Sequence, residues 1–181
     1  KHASNVTGTA KLLKTIFDTA GLPAHLFNVL VIEHDQSNAI IEHDLVRGVT
    51  LTGSPVAGEK IGEKAGAQLK KTVLELGSND AYLVLDDADI DVAVEKSVMG
   101  RIYNNGETCI AAKRLIATEK VYDEFKEKFV KAMDALKVGD PKNEDTELGP
   151  MAREDLREKI HEQVQESVEK GANVLCGGKI P

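Results

Sequence analysis

Cysteine and glutamate are the residue types here that could do covalent chemistry. The stretch from Asn104 to Arg114 reads N-N-G-E-T-C-I-A-A-K-R and holds Cys109, one of two cysteines in the chain. A thiol attacks as its thiolate, so a working cysteine needs a polar, electropositive or helix-start setting. Asn104, Asn105, Gly106, Glu107 and Thr108 precede it, and Ala111, Ala112, Lys113 and Arg114 follow Ile110. Glycine among short polar residues predicts a tight backbone turn that could aim N–H groups at an oxyanion beside the sulfur. The competing reading is that a lone Cys beside Ile110 is apolar filler. Glu75 lies 34 positions upstream, inside the apolar, strand-like run Thr72-Val73-Leu74-Glu75-Leu76. An ionised carboxylate is costly to bury there, the setting of a general base. A cysteine nucleophile and a desolvated glutamate together could form a thioester and then hydrolyse it.

A third stretch, Gly53-Ser54-Pro55-Val56-Ala57-Gly58, falls where a strand is expected to turn into a helix. Glycines let a backbone approach a ligand closely, and a helix N-terminus attracts phosphate. The same residues could also form an ordinary turn, since the chain has no G-x-G-x-x-G fingerprint. Cys176 precedes Gly177-Gly178 with no base in view, and is expected to be an inert core thiol.

Three ordered motifs, T-G-S-x-x-x-G (Thr52 to Gly58), L-E-L-G (Leu74 to Gly77) and N-x-G-x-x-C (Asn104 to Cys109), resemble the NAD(P)-dependent aldehyde dehydrogenase family. K-H-A-S-N-V at the start and D-P-x-x-E-x-x-x-L-G-P-M-A-R from Asp140 resemble its succinate-semialdehyde dehydrogenase branch. The resemblance runs through essentially all 181 residues. It implies an internal segment of a longer enzyme, inactive by itself. It implies that Cys109 is the nucleophile, Glu75 the base, and the Cys109 N–H one oxyanion donor. It implies NAD or NADP as cofactor, held by Lys1, Ser4, Gly53, Ser54, Gly58, Leu76 and Gly77, with Ser54 as a hydroxyl donor to the pyrophosphate. Ser4 stands where a glutamate would repel a 2′-phosphate, so NADP should be tolerated beside NAD.

Two departures bear on the substrate. Glu107 replaces the glutamine usual two residues before the cysteine, and would oppose thiolate formation if it points inward. Succinate-semialdehyde dehydrogenases often carry an Arg six residues before the cysteine; here Tyr103 stands there, with Arg101 two residues earlier. The expected reaction is oxidation of a small aldehyde, such as succinate semialdehyde, to its acid. The alternatives are a CoA-acylating enzyme and a non-catalytic protein that uses the same scaffold for binding.

The elements that must position these groups follow from periodicity. Apolar positions at helical spacing mark helices around Leu12–Ala20, Gln36–Ile41, Val56–Gln68, Ile90–Ile102, Tyr122–Leu136 and Leu156–Val168. Strands are expected at Leu26–Ile32, Val46–Leu51, Lys71–Leu76, Ala81–Leu85, Leu115–Ala117 and Asn173–Cys176. Asp89 should cap the helix that leads to Cys109. Alternating strands and helices predict an α/β fold with parallel sheet. It is a Rossmann-like cofactor half over residues 1–75, then part of an α/β, aldehyde dehydrogenase-like catalytic domain over 76–181.

Composition is that of an ordinary soluble globular protein, 41% hydrophobic and 29% charged. With 23 basic and 30 acidic residues the net charge is −7, which argues against nucleic acid or an anionic membrane as partner. No apolar run reaches a bilayer's span of ~20 residues. Two cysteines, no CxxC and scattered histidines predict neither a disulfide framework nor a metal site. A reducing, cytoplasmic setting is the default, and the resemblance implies a homo-oligomer at full length.

Overall fold

The computed structural model describes residues 1–180. Packing of the chain divides it into two compact units, Lys1–Leu76 and a second that begins at Gly77. In the first unit a short 3-10 turn, Ser4–Val6, leads into α1 (Thr7–Thr19), followed by α2 (His34–Glu42). Then come β1 (Gly48–Thr52), α3 (Pro55–Ala67) and β2 (Lys71–Glu75). β1 and β2 pair in parallel, with Gly48 opposite Lys71 and Thr52 opposite Glu75. This is one right-sized βαβ crossover, and it places the β1–α3 turn beside the carboxyl end of β2.

The second unit repeats the alternation with β3 (Ala81–Val84), α4 (Ile90–Ile102), β4 (Arg114–Ala117), α5 (Glu119–Asp134) and α6 (Glu154–Glu169). β3 and β4 are also parallel, Ala81 opposite Arg114 and Val84 opposite Ala117. Its core is Val84, Ile90, Val94, Val121 and Phe125, with Val98, Leu115 and Phe129 packed against it. The stripe Ile90, Val94, Val98 on α4 thus meets the Phe125–Phe129 face of α5, whose rings stack 5.7 Å apart. Asp89 caps α4 as its composition predicts: the carboxylate accepts a 3.1 Å hydrogen bond from Val92 N–H. Tyr122, on the same helix, lies half out of the core under the ammonium of Lys126.

Two expected strands are absent. Leu26–Ile32 and Asn173–Cys176 run without a ladder partner. Strand geometry is stabilised by a neighbour's hydrogen bonds, and neither segment has a neighbour among the described residues. Phe27 instead packs against Phe17 of α1, the rings tilted at 58° with centroids 4.9 Å apart. The parallel sheet expected from the alternation is present as two two-stranded ladders, β1–β2 and β3–β4. The apolar face of α1 stays open as well: Leu12, Leu13, Ile16 and Phe17 are exposed, and Ala10 is the helix's buried residue.

Candidate active site

Three consecutive left-handed residues deliver Cys109 to the surface. α4 ends at Ile102, and the chain turns through Asn104 (φ 50°), Asn105 (φ 63°) and Gly106 (φ 73°). L-residues avoid this region; asparagine and glycine are the types that enter it most readily. The N-N-G sequence therefore permits a tight reversal that few other triplets would. Cys109 follows at an exposed position, and Ile110 beside it is 71% exposed. The filler reading of this cysteine does not hold in this fold.

The turn is fixed by hydrogen bonds to its carbonyls. Thr108 O accepts from Ala111 N–H at 3.1 Å, and Cys109 O accepts from the Lys113 ammonium at 2.9 Å. A trans peptide sets its C=O and N–H on opposite sides. With Thr108 O turned toward Ala111, the Cys109 N–H faces away, and it meets no acceptor among the described residues. A free N–H on the residue that carries the thiol is the group an oxyanion requires. Ala111 and Ala112, both buried, anchor the far side of the turn.

The Arg101 guanidinium closes the loop. Its Nη1 donates to Ala112 O at 2.9 Å and its Nη2 to Gly106 O at 2.7 Å. Asn105 ties the loop to a distant one, its Oδ1 accepting from Gly149 N–H at 2.8 Å and its Nδ2 donating to Gly149 O at 3.0 Å. The sequence foresees neither contact: it shows only that Arg101 lies two residues before Tyr103, the position where an arginine is usual. Glu107 lines a groove of about 400 Å³ with Met151, Leu156 and Ile160 of the α6 region, Lys159 at its edge. Tyr103 is exposed.

In the first unit the expected cofactor residues gather at one end of the β1–β2 ladder. Gly53 N–H donates to Glu75 O at 3.0 Å. Ser54 is the N-cap of α3, its Oγ accepting from Ala57 N–H at 3.2 Å, with Pro55 in the first helical position. The hydroxyl proton of Ser54 is thereby left to donate, at the positive end of a thirteen-residue helix. Gly58 is buried one turn on; a Cβ there would lie 2.7 Å from the Leu76 methyls, so glycine lets β2's continuation pack under the turn. Gly77 follows, exposed, at the start of the second unit. Lys1 and Ser4 are exposed and hydrogen-bond only locally, Lys1 Nζ donating to His2 O and Ser4 O accepting from the Thr7 hydroxyl; no bond joins them to the Gly53–Gly58 turn.

Glu75 differs from expectation in its surroundings. Every residue of β2 is exposed, Glu75 included, so the carboxylate is not desolvated. The apolar run around it suggested burial on both faces, but a two-stranded ladder has nothing to bury it with. Cys176 is half-buried, not fully in a core.

Comparison with known proteins bears on the family and the fold. The family model described as "Aldehyde dehydrogenase family" matches residues 1–181. The chain is 47% identical over 179 residues to the succinate semialdehyde dehydrogenase [NAD(P)+] Sad of Escherichia coli (strain K12), covering 99% of this chain and 39% of that one. It is 46% identical over 181 residues to the succinate-semialdehyde dehydrogenase [NADP(+)] of Mycobacterium leprae (strain TN), covering 100% and 40%. Among solved structures it superimposes on succinic semialdehyde dehydrogenase from Streptococcus pyogenes, in complex with NADP+ as the cofactor, with a TM-score of 0.95 at 37% identity, covering 99% of this chain and 40% of that one. On lactaldehyde dehydrogenase from Escherichia coli the TM-score is 0.90 at 34% identity, covering 95% and 36%. The chain thus spans about two fifths of the length of the curated relatives it matches. An α/β fold of parallel ladders, a family match along its whole length and relatives close to half identical leave one conclusion: this chain belongs to the aldehyde dehydrogenase family.

Proposed function

We propose that, within a chain of its relatives' length, these residues serve an NAD(P)+-dependent oxidation of succinate semialdehyde, or a similarly small aldehyde, to the carboxylic acid. Residues 1–75 are part of the cofactor domain, and 76–181 are part of the catalytic domain. The observation that carries the reading is Cys109: an exposed thiol on a rigid left-handed turn, with its own N–H free.

The Cys109 thiolate attacks the aldehyde carbon, forming a C–S bond while the carbonyl oxygen becomes an oxyanion held by the Cys109 N–H. The resulting thiohemiacetal loses hydride from that carbon and becomes a thioester. NAD(P)+, when bound, is the two-electron acceptor for this step. Glu75 takes a proton from water, the hydroxide adds to the thioester, and the C–S bond breaks to give the acid and the thiolate. The Ser54 hydroxyl and the α3 N-terminus fit a pyrophosphate, with Gly53, Gly58, Leu76 and Gly77 shaping the turn around it. Lys1 and Ser4 are assigned to the adenosine ribose. The full-length enzyme is placed in the cytoplasm as a homo-oligomer; two unpaired cysteines fit a reducing compartment. Among the described residues no helix is long and apolar enough to cross a membrane.

A second reading for the substrate has its own observation. Both terminal guanidinium nitrogens of Arg101 are bonded to backbone carbonyls, and Tyr103 stands where an arginine would otherwise serve. A small aldehyde without a carboxylate suits that loop, unless the carboxylate is met by residues elsewhere in the longer chain.

The test is rapid mixing of the full-length enzyme with succinate semialdehyde, and with an uncharged aldehyde of equal length, each with NAD+ and NADP+. The expected result is a burst of about one NAD(P)H per site, free acid as product whether or not CoA is present, and no burst in Cys109→Ala. A Cys109→Ala enzyme that still reduces the cofactor would overturn the nucleophile; acyl-CoA as sole product would move the chain to the CoA-acylating reading.

A further inference from the structure

We infer that Arg101 is a positioning residue for the nucleophile, a two-pronged staple that holds the Cys109 turn in the geometry for attack. The inference rests on the reading of Cys109 as nucleophile, and concerns what fixes it. Arg101 occupies the last turn of α4, where a cation is favoured by the helix dipole. Its planar guanidinium donates to Gly106 O at 2.7 Å and to Ala112 O at 2.9 Å. Those two carbonyls stand three residues before and three residues after Cys109, so one side chain fixes both ends of the segment that carries the sulfur.

Three observations make this more than a surface contact. Arg101 is half-buried and pairs with no carboxylate among the described residues, so its hydrogen-bonding capacity is directed at the loop. The segment it closes begins with three left-handed residues, which would relax toward ordinary φ values without restraint. Finally, a Cβ at Gly106 would lie 2.6 Å from the Arg101 Nη2 and 2.9 Å from its carbonyl, so glycine is needed there to admit the guanidinium. Loop and staple are built around each other. A lysine keeps the charge but presents a single ammonium, which cannot span two carbonyls in a plane.

The experiment compares Arg101→Lys and Arg101→Ala with wild type and Cys109→Ala, all in the full-length enzyme. Misplacing a reacting atom by about an ångström costs about a hundredfold, so the burst rate of Arg101→Lys should fall by about that factor. Its KM for NAD(P)+ and its melting temperature should stay near wild type. Guanidinium ion, far below denaturing concentrations, should restore part of the burst to Arg101→Ala and none to Cys109→Ala. A wild-type burst rate in Arg101→Lys overturns the inference. So does failure of both Arg101 variants to fold, which would make the residue a fold contact, and so does a defect confined to cofactor KM. If Cys109→Ala itself retains the burst, it is the nucleophile reading that falls, and the two failures are told apart.

Discussion

Replacing Asn105 with alanine removes both hydrogen bonds to Gly149, at 2.8 and 3.0 Å, and leaves a residue with a Cβ at φ 63°. The bonds are solvent-exposed, so each is worth the low end of the usual range, about 0.5 kcal/mol. Forcing an ordinary L-residue into the left-handed region costs about 1 kcal/mol beyond what asparagine tolerates. Together the closed loop loses about 2 kcal/mol, which at 1.36 kcal/mol per decade is about thirtyfold in its opening equilibrium. Asn105→Gly loses the bonds and keeps the backbone freedom, so about 1 kcal/mol and about fivefold are expected. Asn105→Asp should fall between asparagine and alanine, because it keeps an acceptor for Gly149 N–H but sets an oxygen against Gly149 O.

Amide hydrogen exchange of the full-length enzyme reads this directly. The reporters are the N–H groups of Glu107 and Ala111, which donate within the loop to Asn104 O at 3.0 Å and Thr108 O at 3.1 Å. Their exchange should quicken in the order Asn, Gly, Ala, with the burst rate falling in the same order, while amides of α4 and α5 hold their protection. Unchanged exchange in Asn105→Ala would refute the clamp. A glycine variant looser than the alanine variant would refute the strain argument, since the ranking depends on the left-handed backbone.

Glu75→Gln should leave the first NAD(P)H burst intact and stall turnover at the thioester, with hydroxylamine restoring part of it; a well-folded variant with unchanged steady-state turnover would remove the carboxylate from the mechanism. Ser4→Glu should depress NADP+ use strongly and NAD+ use little, by repulsion of a 2′-phosphate, and an unmoved NAD/NADP ratio of kcat/KM would place Ser4 away from the ribose. Phe125→Ala deletes a ring that is 5% exposed and central to the second unit's core, so about 3–5 kcal/mol of stability should be lost in a denaturant melt. A loss under about 1 kcal/mol would mean that the α4–α5 contact is not the core of that unit.

The sequence was most legible where a structural preference is local. Asp89 before an apolar stripe, Ser54-Pro55 before a helix and the Ile90–Val94–Val98 spacing each act over a few residues, and each appears in the fold as its chemistry dictates. Leu26–Ile32 failed for the opposite reason. Its apolar content is suited to a buried strand, yet no element in the described chain supplies a ladder, and Leu26 is 70% exposed. The same lack of cover explains Glu75, whose neighbours Val73 and Leu74 read as a buried run and lie exposed on a two-stranded ladder. Apolar composition tells what a segment would gain from burial, and says nothing of whether the covering element belongs to the same stretch of chain.

The site divides along the same line. The turn that carries Cys109 was legible because glycine and asparagine signal it locally, and N-N-G carried a readable sign of left-handed backbone that a plain tight turn understates. What the sequence could not offer was the partner of each fixing group. Asn105 meets Gly149 across 44 residues, and Arg101 donates to Gly106 O and Ala112 O, partners that its position beside Tyr103 does not reveal. The distinction changes the chemistry assigned to the loop. A free arginine would select substrates by charge, whereas a stapled one holds the thiol still and leaves selection to other residues. On the reading proposed above, substrate preference and nucleophile placement are separable, and a substitution at Tyr103 should alter the first without disturbing the second.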